Sequence, residues 1–224
     1  MNEADIIKEF RAAGAMLSGH FILSSGLHSP TYLQCARVLM DAARGERLCK
    51  ALALKICEWL RHESAAARTS PEQASWGEQQ ASTGGNLKFD CIVAPAMGGV
   101  VVGYEMGRQL GIPTMFCERV EGKFELRRGF SLEEGARVLV VEDVVTTGKS
   151  SMEAVECITR NGGKALAVAS LIDRRGSNDV SLTLPLISLL KLDVPTYAPD
   201  KLPPELIDIP AIKPGSRDLK AKAS

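Results

Sequence analysis

The stretch VLVVEDVVTTGKSS, residues 138–151, decides how this chain is interpreted. An apolar run ends in two adjacent acids, Glu142 and Asp143, and a turn of small and hydroxyl residues follows them. Uninterrupted apolar runs are typical of strands that are buried on both faces of a parallel sheet. Because ligands of open α/β sheets bind beyond the carboxyl ends of the strands, we expect the acids and the turn at a binding site.

The turn itself suits a phosphate group. Thr146, Thr147, Gly148, Lys149 and Ser150 open the next predicted helix, where backbone N–H groups and the positive end of the helix dipole attract anions. The two preceding carboxylates would repel a phosphate, so we expect them to bind hydroxyl groups or a cation. The pattern therefore favours a phosphorylated sugar as ligand, together with a divalent ion.

Gly148, Lys149 and Ser150 also resemble the end of a nucleotide-binding P-loop. That motif requires a glycine five residues before its Gly-Lys pair, and this chain has Asp143 there. The spacing therefore excludes a P-loop. An acid pair that only caps the following turn is the structural alternative to a binding site.

Strands and helices alternate around this stretch. The predicted strands are residues 89–94, 113–118, 136–143 and 164–173. This order predicts an α/β fold over residues 89–175, with a mostly parallel, twisted sheet flanked by helices. We expect the polar segment 119–135 to form a loop.

We interpret residues 1–224 as a single domain. Residues 1–40 and 180–224 are expected to form a small cap, and residues 64–87, rich in Ala, Ser and Gln, a flexible insertion. In the N-terminal part the patterns predict a helix over 2–13, extended segments at 20–24 and 31–36, and a helix from Asp41 to about Arg61.

Composition narrows the class of protein. The chain has 224 residues, of which 45% are hydrophobic, and its 27 basic residues balance its 27 acidic ones. A net charge of zero argues against nucleic acid or an anionic membrane as the main partner. No apolar run approaches the roughly 20 residues of a membrane span, and the N-terminus lacks the features of a signal peptide. We expect a soluble, cytoplasmic protein.

The cysteines and histidines do not predict a metal site of their own. The six cysteines contain no CxxC pair and several lie in apolar runs, while the three histidines are scattered. Protein-held metals need clustered ligands. We therefore expect buried free thiols.

The quoted stretch resembles the signature of the type I phosphoribosyltransferases, which is an apolar strand, two acids, two apolar residues and a T-[TA]-G turn. The resemblance implies that Glu142 and Asp143 bind the ribose of 5-phosphoribosyl 1-diphosphate. It further implies that the following turn binds the same substrate, largely through its 5′-phosphate. The residues of that turn are Val144, Val145, Thr146, Thr147, Gly148, Lys149 and Ser150. Mg²⁺ would join through diphosphate and ribose oxygens and not directly through protein side chains.

Other segments are similar to the orotate phosphoribosyltransferases within that family. The pattern F-x-L-x-SG-x-x-S-x-x-Y is carried by Phe21, Leu23, Ser25, Gly26, Ser29 and Tyr32. PAMGG, residues 95–99, resembles the diphosphate-binding turn. Arg119 and Lys123 match basic residues of a mobile loop that closes over the diphosphate, which gives Lys123 a catalytic role. Arg174 matches the arginine that meets the orotate carboxylate, with Thr146 beside it.

The resemblance implies a Mg²⁺-dependent enzyme that joins orotate to 5-phosphoribosyl 1-diphosphate in pyrimidine biosynthesis. It also implies a homodimer with shared active sites, because the loop at 119–130 reaches the neighbouring subunit in the family. The alternatives are a transferase for another nucleobase and a non-catalytic phosphoribosyl-binding regulator. The chain departs from the common family pattern at Ser24, Glu125 and Met97-Gly98.

Overall fold

A computed structural model describes residues 1–23, 26–69, 88–175 and 182–214 of the chain. In these ranges the helices are α1 (Glu3–Ala12), α2 (Cys35–Leu39), α3 (Ala42–Thr69), α4 (Gly98–Leu110), α5 (Lys149–Arg160) and α6 (Pro204–Ile207). The strands are β1 (Met16–Ile22), β2 (His28–Leu33), β3 (Cys91–Pro95), β4 (Thr114–Val120), β5 (Lys123–Leu126), β6 (Arg137–Val145), β7 (Lys164–Asp173) and β8 (Leu186–Lys191).

The predicted α/β fold is confirmed. Strands β5-β4-β3-β6-β7-β8 form one sheet in that order. The five strands β4-β3-β6-β7-β8 pair parallel with one another in this sheet. The edge strand β5 pairs antiparallel with β4. Because β6 lies between β3 and β7, the acid pair and the turn that follows it lie at the middle of the carboxyl edge of the sheet.

Strand β6 is buried on both faces, which explains its uninterrupted apolar run. Leu139 and Val141 belong to a core shared with α3 and α4, whereas Val138 and Val140 belong to a second core shared with α5. All four side chains are 0% exposed. Each contributes roughly 1.5–3 kcal/mol by leaving water, so the strand that carries the acids is held firmly.

Helices α1 and α3 each begin after a residue whose side chain caps the first turn, and Asp41 is the cap predicted for α3. The Asn2 side chain accepts from the Asp5 backbone N–H at 2.9 Å, and the Asp5 carboxylate accepts from the Asn2 backbone N–H at 3.2 Å. Asp41 Oδ1 accepts from the Arg44 backbone N–H at 3.1 Å. Both helices therefore have partners for exposed amides of their first turn.

The hairpin of β1 and β2 is held by segments from the C-terminal part of the chain. The Ile22 N–H donates to the Ile212 carbonyl at 2.8 Å, and the Ile212 N–H donates to the His20 carbonyl at 2.8 Å. His28 and Tyr197 exchange backbone hydrogen bonds of 2.8 and 2.9 Å. These four bonds join residues of the two segments that we predicted to form the cap.

Residues 186–191 differ from the prediction, because they form β8 and not part of the cap. The strand pairs parallel with β7 at the edge of the sheet, and Ile187, Leu189 and Leu190 join the core. The run is short and is interrupted by Ser188, so neither its length nor its periodicity separates it from a loop.

The segment predicted as a loop over 119–135 contains a hairpin instead. Strand β4 continues to Val120, and β5 pairs antiparallel with it. Phe124 is buried between exposed Lys123 and Glu125. This alternation is typical of an edge strand with one face in water, and its polar half gave the segment the composition of a loop.

The remaining boundary differences have local causes. Strands β1 and β2 lie at 16–22 and 28–33 and not at 20–24 and 31–36, with Pro30 opposite the irregular pairing between Ser18 and Phe21. Helix α3 runs to Thr69 because its Ala-rich end favours a helix without apolar periodicity. Residues 70–87 of the predicted insertion lie outside the described residues. In the described part of the chain no helix is long and apolar enough to span a membrane.

Candidate active site

A cleft of about 490 Å³ opens at the carboxyl end of β6. Four parts of the chain line it: the β1–β2 hairpin with the start of α2, the end of β6 with its turn, the residue that follows β7, and the C-terminal segment. The lining residues are Ile22, Leu23, Tyr32, Leu33, Gln34, Cys35, Asp143, Val144, Thr146, Thr147, Arg174, Lys213 and Pro214. The cleft therefore unites Asp143, Val144, Thr146, Thr147 and Arg174 of the predicted site.

Glu142 lies just behind this cleft and is only 9% exposed. Its carboxylate accepts a short hydrogen bond from the hydroxyl of Ser151, which is itself 0% exposed. Burial raises the pKa of Glu142 to about 7, against the lowering effect of the Ser151 hydrogen bond, and the negative charges of Asp143 and Glu153 raise it further. Glu142 is thus a carboxyl that exchanges its proton near neutral pH.

Asp143 faces the cleft itself. Burial raises the pKa of Asp143, although the backbone N–H groups of Val144 and of Asp143 itself donate to the carboxylate and oppose this. Burial also raises the pKa of the Tyr32 hydroxyl; the charge of Asp143 adds to this, and that of Arg174 works against it. These mutual effects place an acid, a phenol and a guanidinium around one space.

The predicted diphosphate turn packs against this acid. A Cβ on Gly99 would lie 3.0 Å from the Val141 carbonyl, so the start of α4 approaches β6 closely. The Ala96–Met97 peptide bond is cis, and the Met97 side chain is 85% exposed. Residues 96–97 form a turn directly after β3, at the same sheet edge as the acid pair.

The predicted phosphate turn has the expected conformation. Gly148 directly precedes the first residue of α5. Its φ of 78° lies in the left-handed region, which favours glycine. The Lys149 backbone N–H donates to Thr147 Oγ1 at 3.3 Å. Val145 differs from Val144, because its side chain is buried in the second core and only its backbone can face a ligand.

Arg174 directly follows β7, and a backbone hydrogen bond fixes its position. Its N–H donates to the Val145 carbonyl at 2.8 Å, next to the phosphate turn. The neighbouring Asp173 carboxylate accepts two side-chain hydrogen bonds of 3.0 Å from Arg175. Burial would raise the pKa of Asp173, but the Arg175 guanidinium outweighs it and keeps that pKa below its usual value. Two adjacent arginines thus have different functions: Arg175 neutralises Asp173, and Arg174 lines the cleft.

Arg119 and Lys123 are not among the residues that line the cleft in this chain. Arg119 forms a short ion pair with Glu153 of α5, donates to the Gly122 carbonyl at 2.9 Å, and stacks 4.2 Å over the Phe124 ring. Lys123 is exposed at the first position of β5. Lys149 is also outside the cleft, with its ammonium 3.9 Å from Glu153.

Ser151, Tyr32 and Lys213 are among the residues of this region that were not predicted as site residues. Ser151 directly follows the quoted turn and lies in the first turn of α5, so its place in the quoted stretch was the available signal. Tyr32 and Lys213 come from distant segments, so only the folded chain brings them to the cleft. Ser24 and Ser25, which the sequence patterns single out, lie outside the described residues.

The donor set fits a cation that is shared with a substrate. Within the described ranges no group of three or more His, Cys, Asp or Glu side chains could enclose a metal. Glu142 and Asp143 nevertheless offer carboxylate oxygens, which are the ligands that Mg²⁺ takes together with waters and phosphates. This arrangement suits an ion held mainly by substrate oxygens.

Comparisons with known proteins identify the family. The family model of the phosphoribosyl transferase domain matches residues 74–189. The orotate phosphoribosyltransferase of Rhizorhabdus wittichii is 50% identical over 217 residues, which is 97% of this chain and 97% of that one. The chain belongs to the orotate phosphoribosyltransferase family. As a family member, it carries the signature's two acids and its threonine-glycine turn at the cleft.

Solved structures agree on the fold of this orotate phosphoribosyltransferase family member. The orotate phosphoribosyltransferase of Aeropyrum pernix matches with a TM-score of 0.59 and 24% identity, covering 83% of this chain and 93% of that one. The adenine phosphoribosyltransferase of Saccharomyces cerevisiae also matches, with a TM-score of 0.55, 17% identity, and coverage of 84% and 99%. Enzymes named for different bases therefore share this fold, so the base must be recognised by particular side chains.

Proposed function

We propose that the chain catalyses Mg²⁺-dependent transfer of the phosphoribosyl group from 5-phosphoribosyl 1-diphosphate to orotate, which yields orotidine 5′-phosphate and diphosphate for pyrimidine nucleotide synthesis. One observation carries the proposal: a single cleft joins Asp143 and the hydroxyls of Thr146 and Thr147 to the guanidinium of Arg174. Such a cleft offers separate partners for ribose, phosphate and a carboxylated base. The family membership supports the same reaction.

In this reaction the bond from ribose C1 to the diphosphate oxygen breaks, a bond from C1 to N1 of orotate forms, and the proton on N1 is released to solvent. Positive charge develops on the ribose, and negative charge on the leaving diphosphate. Asp143 and Glu142 accept hydrogen bonds from the ribose hydroxyls and stabilise the positive charge. Because Ser151 fixes the Glu142 carboxylate, this side chain needs no reorientation during the reaction.

Thr146, Thr147 and the amides at the start of α5 hold the 5′-phosphate, with Ser150 and Lys149 at the rim. Arg174 binds the orotate carboxylate, for which a guanidinium is suited by its paired N–H donors. Glu142 and Asp143 would hold Mg²⁺ together with oxygens of the substrate, and the ion would supply neutralisation of the charge on the diphosphate. The protein's own contribution is thus mainly positioning and charge stabilisation.

We propose that Arg119 and Lys123 reach the diphosphate when the segment 119–130 closes over a site. Arg119 must then break its ion pair with Glu153. The diphosphate takes the place of the Glu153 carboxylate as the anionic partner of Arg119. Closure excludes water, which would otherwise attack ribose C1.

We propose a homodimer that shares its active sites. The outer face of α4 leaves Met97, Val101 and Tyr104 exposed by 85%, 53% and 71%. Large apolar side chains at this spacing lie on one face of a helix, and such a patch marks an interaction surface. Met97 belongs to the diphosphate turn, so a partner seated there lies beside the cleft.

The dimer has two tests. Tyr104→Glu should give monomers in sedimentation experiments, whereas Leu54→Glu, at an exposed residue of α3, should leave the assembly intact. Mixing inactive Lys123→Ala with inactive Asp143→Asn should restore activity, because a mixed dimer with shared sites contains one intact site. Tyr104→Glu dimers, or mixtures that stay inactive, would contradict this part of the proposal.

The deciding experiment mixes purified protein with Mg²⁺, 5-phosphoribosyl 1-diphosphate and one base at a time. Orotate should be consumed, as measured by its ultraviolet absorbance, with release of diphosphate; Asp143→Asn is the matched inactive control. Consumption of adenine, hypoxanthine or uracil instead of orotate would favour a transferase for another nucleobase. Binding of the sugar diphosphate without consumption of any base would favour a regulator.

We further propose a cytoplasmic location. All six cysteines are free thiols, five of them buried, which is typical of proteins in a reducing compartment.

A further inference from the structure

Lys213 brings a second cation to the cleft from the C-terminal segment. Among the described residues that line the cleft, the cationic side chains are Arg174 and Lys213. Arg174 comes from the end of β7, whereas Lys213 comes from a segment that precedes no further described strand or helix. The two charges therefore enter the cleft from independent parts of the fold.

The backbone before Lys213 is fixed to the wall of the cleft. Ile212 makes both of its backbone hydrogen bonds to β1, at 2.8 Å each. Three residues earlier, the Ile209 carbonyl accepts a 2.8 Å hydrogen bond from Nδ1 of His20, which is 4% exposed. Lys213 is thus placed by paired backbone directly beside Ile22, which lines the same cleft.

The side chains near this part of the cleft suit a flat ring. Ile22 and Leu23 of the hairpin and Leu33 of β2 provide apolar surface, and Tyr32 provides an aromatic face. Asp143 and the hydroxyls of Thr146 and Thr147 come from the end of β6 and the turn that follows it. An apolar wall with a cation at its edge matches a planar heterocycle that carries a negative charge.

Electrostatics gives the second cation a purpose. In the proposed reaction both substrates are anions, and they must meet in a cleft that already contains the carboxylate of Asp143. Repulsion between like charges grows as water leaves the site. The guanidinium of Arg174 alone compensates this repulsion poorly. The ammonium of Lys213, from the C-terminal segment, reduces it further.

We propose that Lys213 binds the base, by pairing its ammonium with an anionic oxygen of the carboxylated pyrimidine, and that it selects charged over neutral bases. The inference rests on the proposed function and adds to it a specificity residue from the C-terminal segment. Arg174 and Lys213 then hold the base from two sides.

The test compares Lys213→Ala, Lys213→Gln and Lys213→Arg with wild type, and uses Lys201→Ala as the matched control, since Lys201 is exposed in the same segment and lies outside the cleft. Removal of a charge-assisted hydrogen bond should raise the KM for orotate by about 10-fold or more. The KM for 5-phosphoribosyl 1-diphosphate should change by less than about 2-fold. Lys213→Arg should restore most of the affinity, and Lys201→Ala should match wild type.

A second readout is direct binding of orotidine 5′-phosphate, which should weaken in Lys213→Ala by a similar factor while thermal stability stays unchanged. Lys213→Gln keeps most of the length of the side chain without its charge and gives the same comparison if the alanine variant does not fold. An unchanged orotate KM in both variants, or an equal rise in both KM values, overturns the inference. A wild-type protein inactive with orotate overturns the proposed function itself, whatever the Lys213 variants do.

Discussion

A Cβ atom on Gly98 would lie 2.8 Å from Oδ1 of Asp143 and 3.1 Å from Oδ2. Carbon and oxygen atoms do not normally approach this closely, so the first residue of α4 and the carboxylate at the end of β6 can occupy these positions only because residue 98 has no side chain. The glycine is required here by close approach, since its backbone is helical. The predicted diphosphate turn and the predicted ribose acid are therefore one packed unit.

Gly98→Ala should reduce kcat/KM by about 10-fold or more, because a displaced Asp143 carboxylate no longer matches the ribose. The loss is measured in the orotate assay, with circular dichroism to check the fold. Gly45→Ala is the matched control: it adds the same methyl group within α3, where the nearest side chain lies at an ordinary 3.7 Å. A Gly98→Ala enzyme as active as Gly45→Ala would mean that Asp143 tolerates movement.

Ser151→Ala should shift the pH dependence of activity upward. The Ser151 hydroxyl donates to Glu142 and lowers the pKa of that carboxyl, so its loss lets burial raise the pKa further. If the ionised carboxylate stabilises positive charge on the ribose, kcat/KM for 5-phosphoribosyl 1-diphosphate rises through about pH 7 in wild type. In Ser151→Ala the rise should occur at higher pH. Ser170→Ala, which removes another buried hydroxyl, should keep the wild-type profile.

Glu142 should make folding stability fall as the pH rises. Between its ordinary pKa of 4.5 and about 7, the folded protein keeps the Glu142 proton that the unfolded chain has released. The folded state then binds more protons, so the contribution is complete below pH 4.5 and is lost as pH rises to about 7. Across this window Glu142→Gln should gain about 3 kcal/mol relative to wild type. Urea unfolding at several pH values measures the difference.

The matched control for that experiment is Glu63→Gln, at an exposed position of α3. Its free energy of unfolding should follow that of wild type at every pH. If Glu142→Gln follows it as well, Glu142 is ionised in the folded protein at acidic pH, contrary to its burial.

Glu153→Gln should strengthen binding of the diphosphate. Glu153 pairs with Arg119 and lies 3.9 Å from the Lys149 ammonium, so it occupies two cations that the substrate needs. Removing the charge of Glu153 leaves both cations available to bind the diphosphate. The KM for 5-phosphoribosyl 1-diphosphate should therefore fall several-fold, and this decrease should be smaller at high salt. Glu156→Gln, on the same helix, should not change it. A higher KM in Glu153→Gln would instead mean that this acid positions Arg119 for the substrate.

The central strands of the sheet were predictable because burial on both faces gives each of them a recognisable local sequence pattern. Strand β7 has the predicted limits 164–173, and β6 carries the acid pair at its end, since a strand buried on both faces needs an unbroken apolar run. The edge strands are harder to recognise from sequence. In β5 polar and apolar residues alternate, because one face is exposed to water, and β8 is short and contains Ser188. Their identity depends on neighbours that are distant in sequence.

The site divides in the same way. Asp143, Thr146 and Thr147 follow one another in sequence, so one motif revealed them together. Tyr32 lies more than a hundred residues before this motif and Lys213 lies more than sixty residues after it, and no local pattern relates the two residues. The pairing of Ser151 with Glu142 needs the geometry of a helix start packed on a strand end.

The backbone pairing of β1 with Ile212 has a consequence for synthesis of the protein. Chains emerge N-terminus first, so the sheet up to β8 can form while residues near 212 are still missing. The hairpin then lacks its strand partner, and one wall of the cleft has no support. A ribosome-bound chain that ends before Ile212 should therefore contain the phosphate turn but no finished pocket for the base. Under the proposed function, the nascent molecule should therefore bind the base only after Ile212 has left the ribosome.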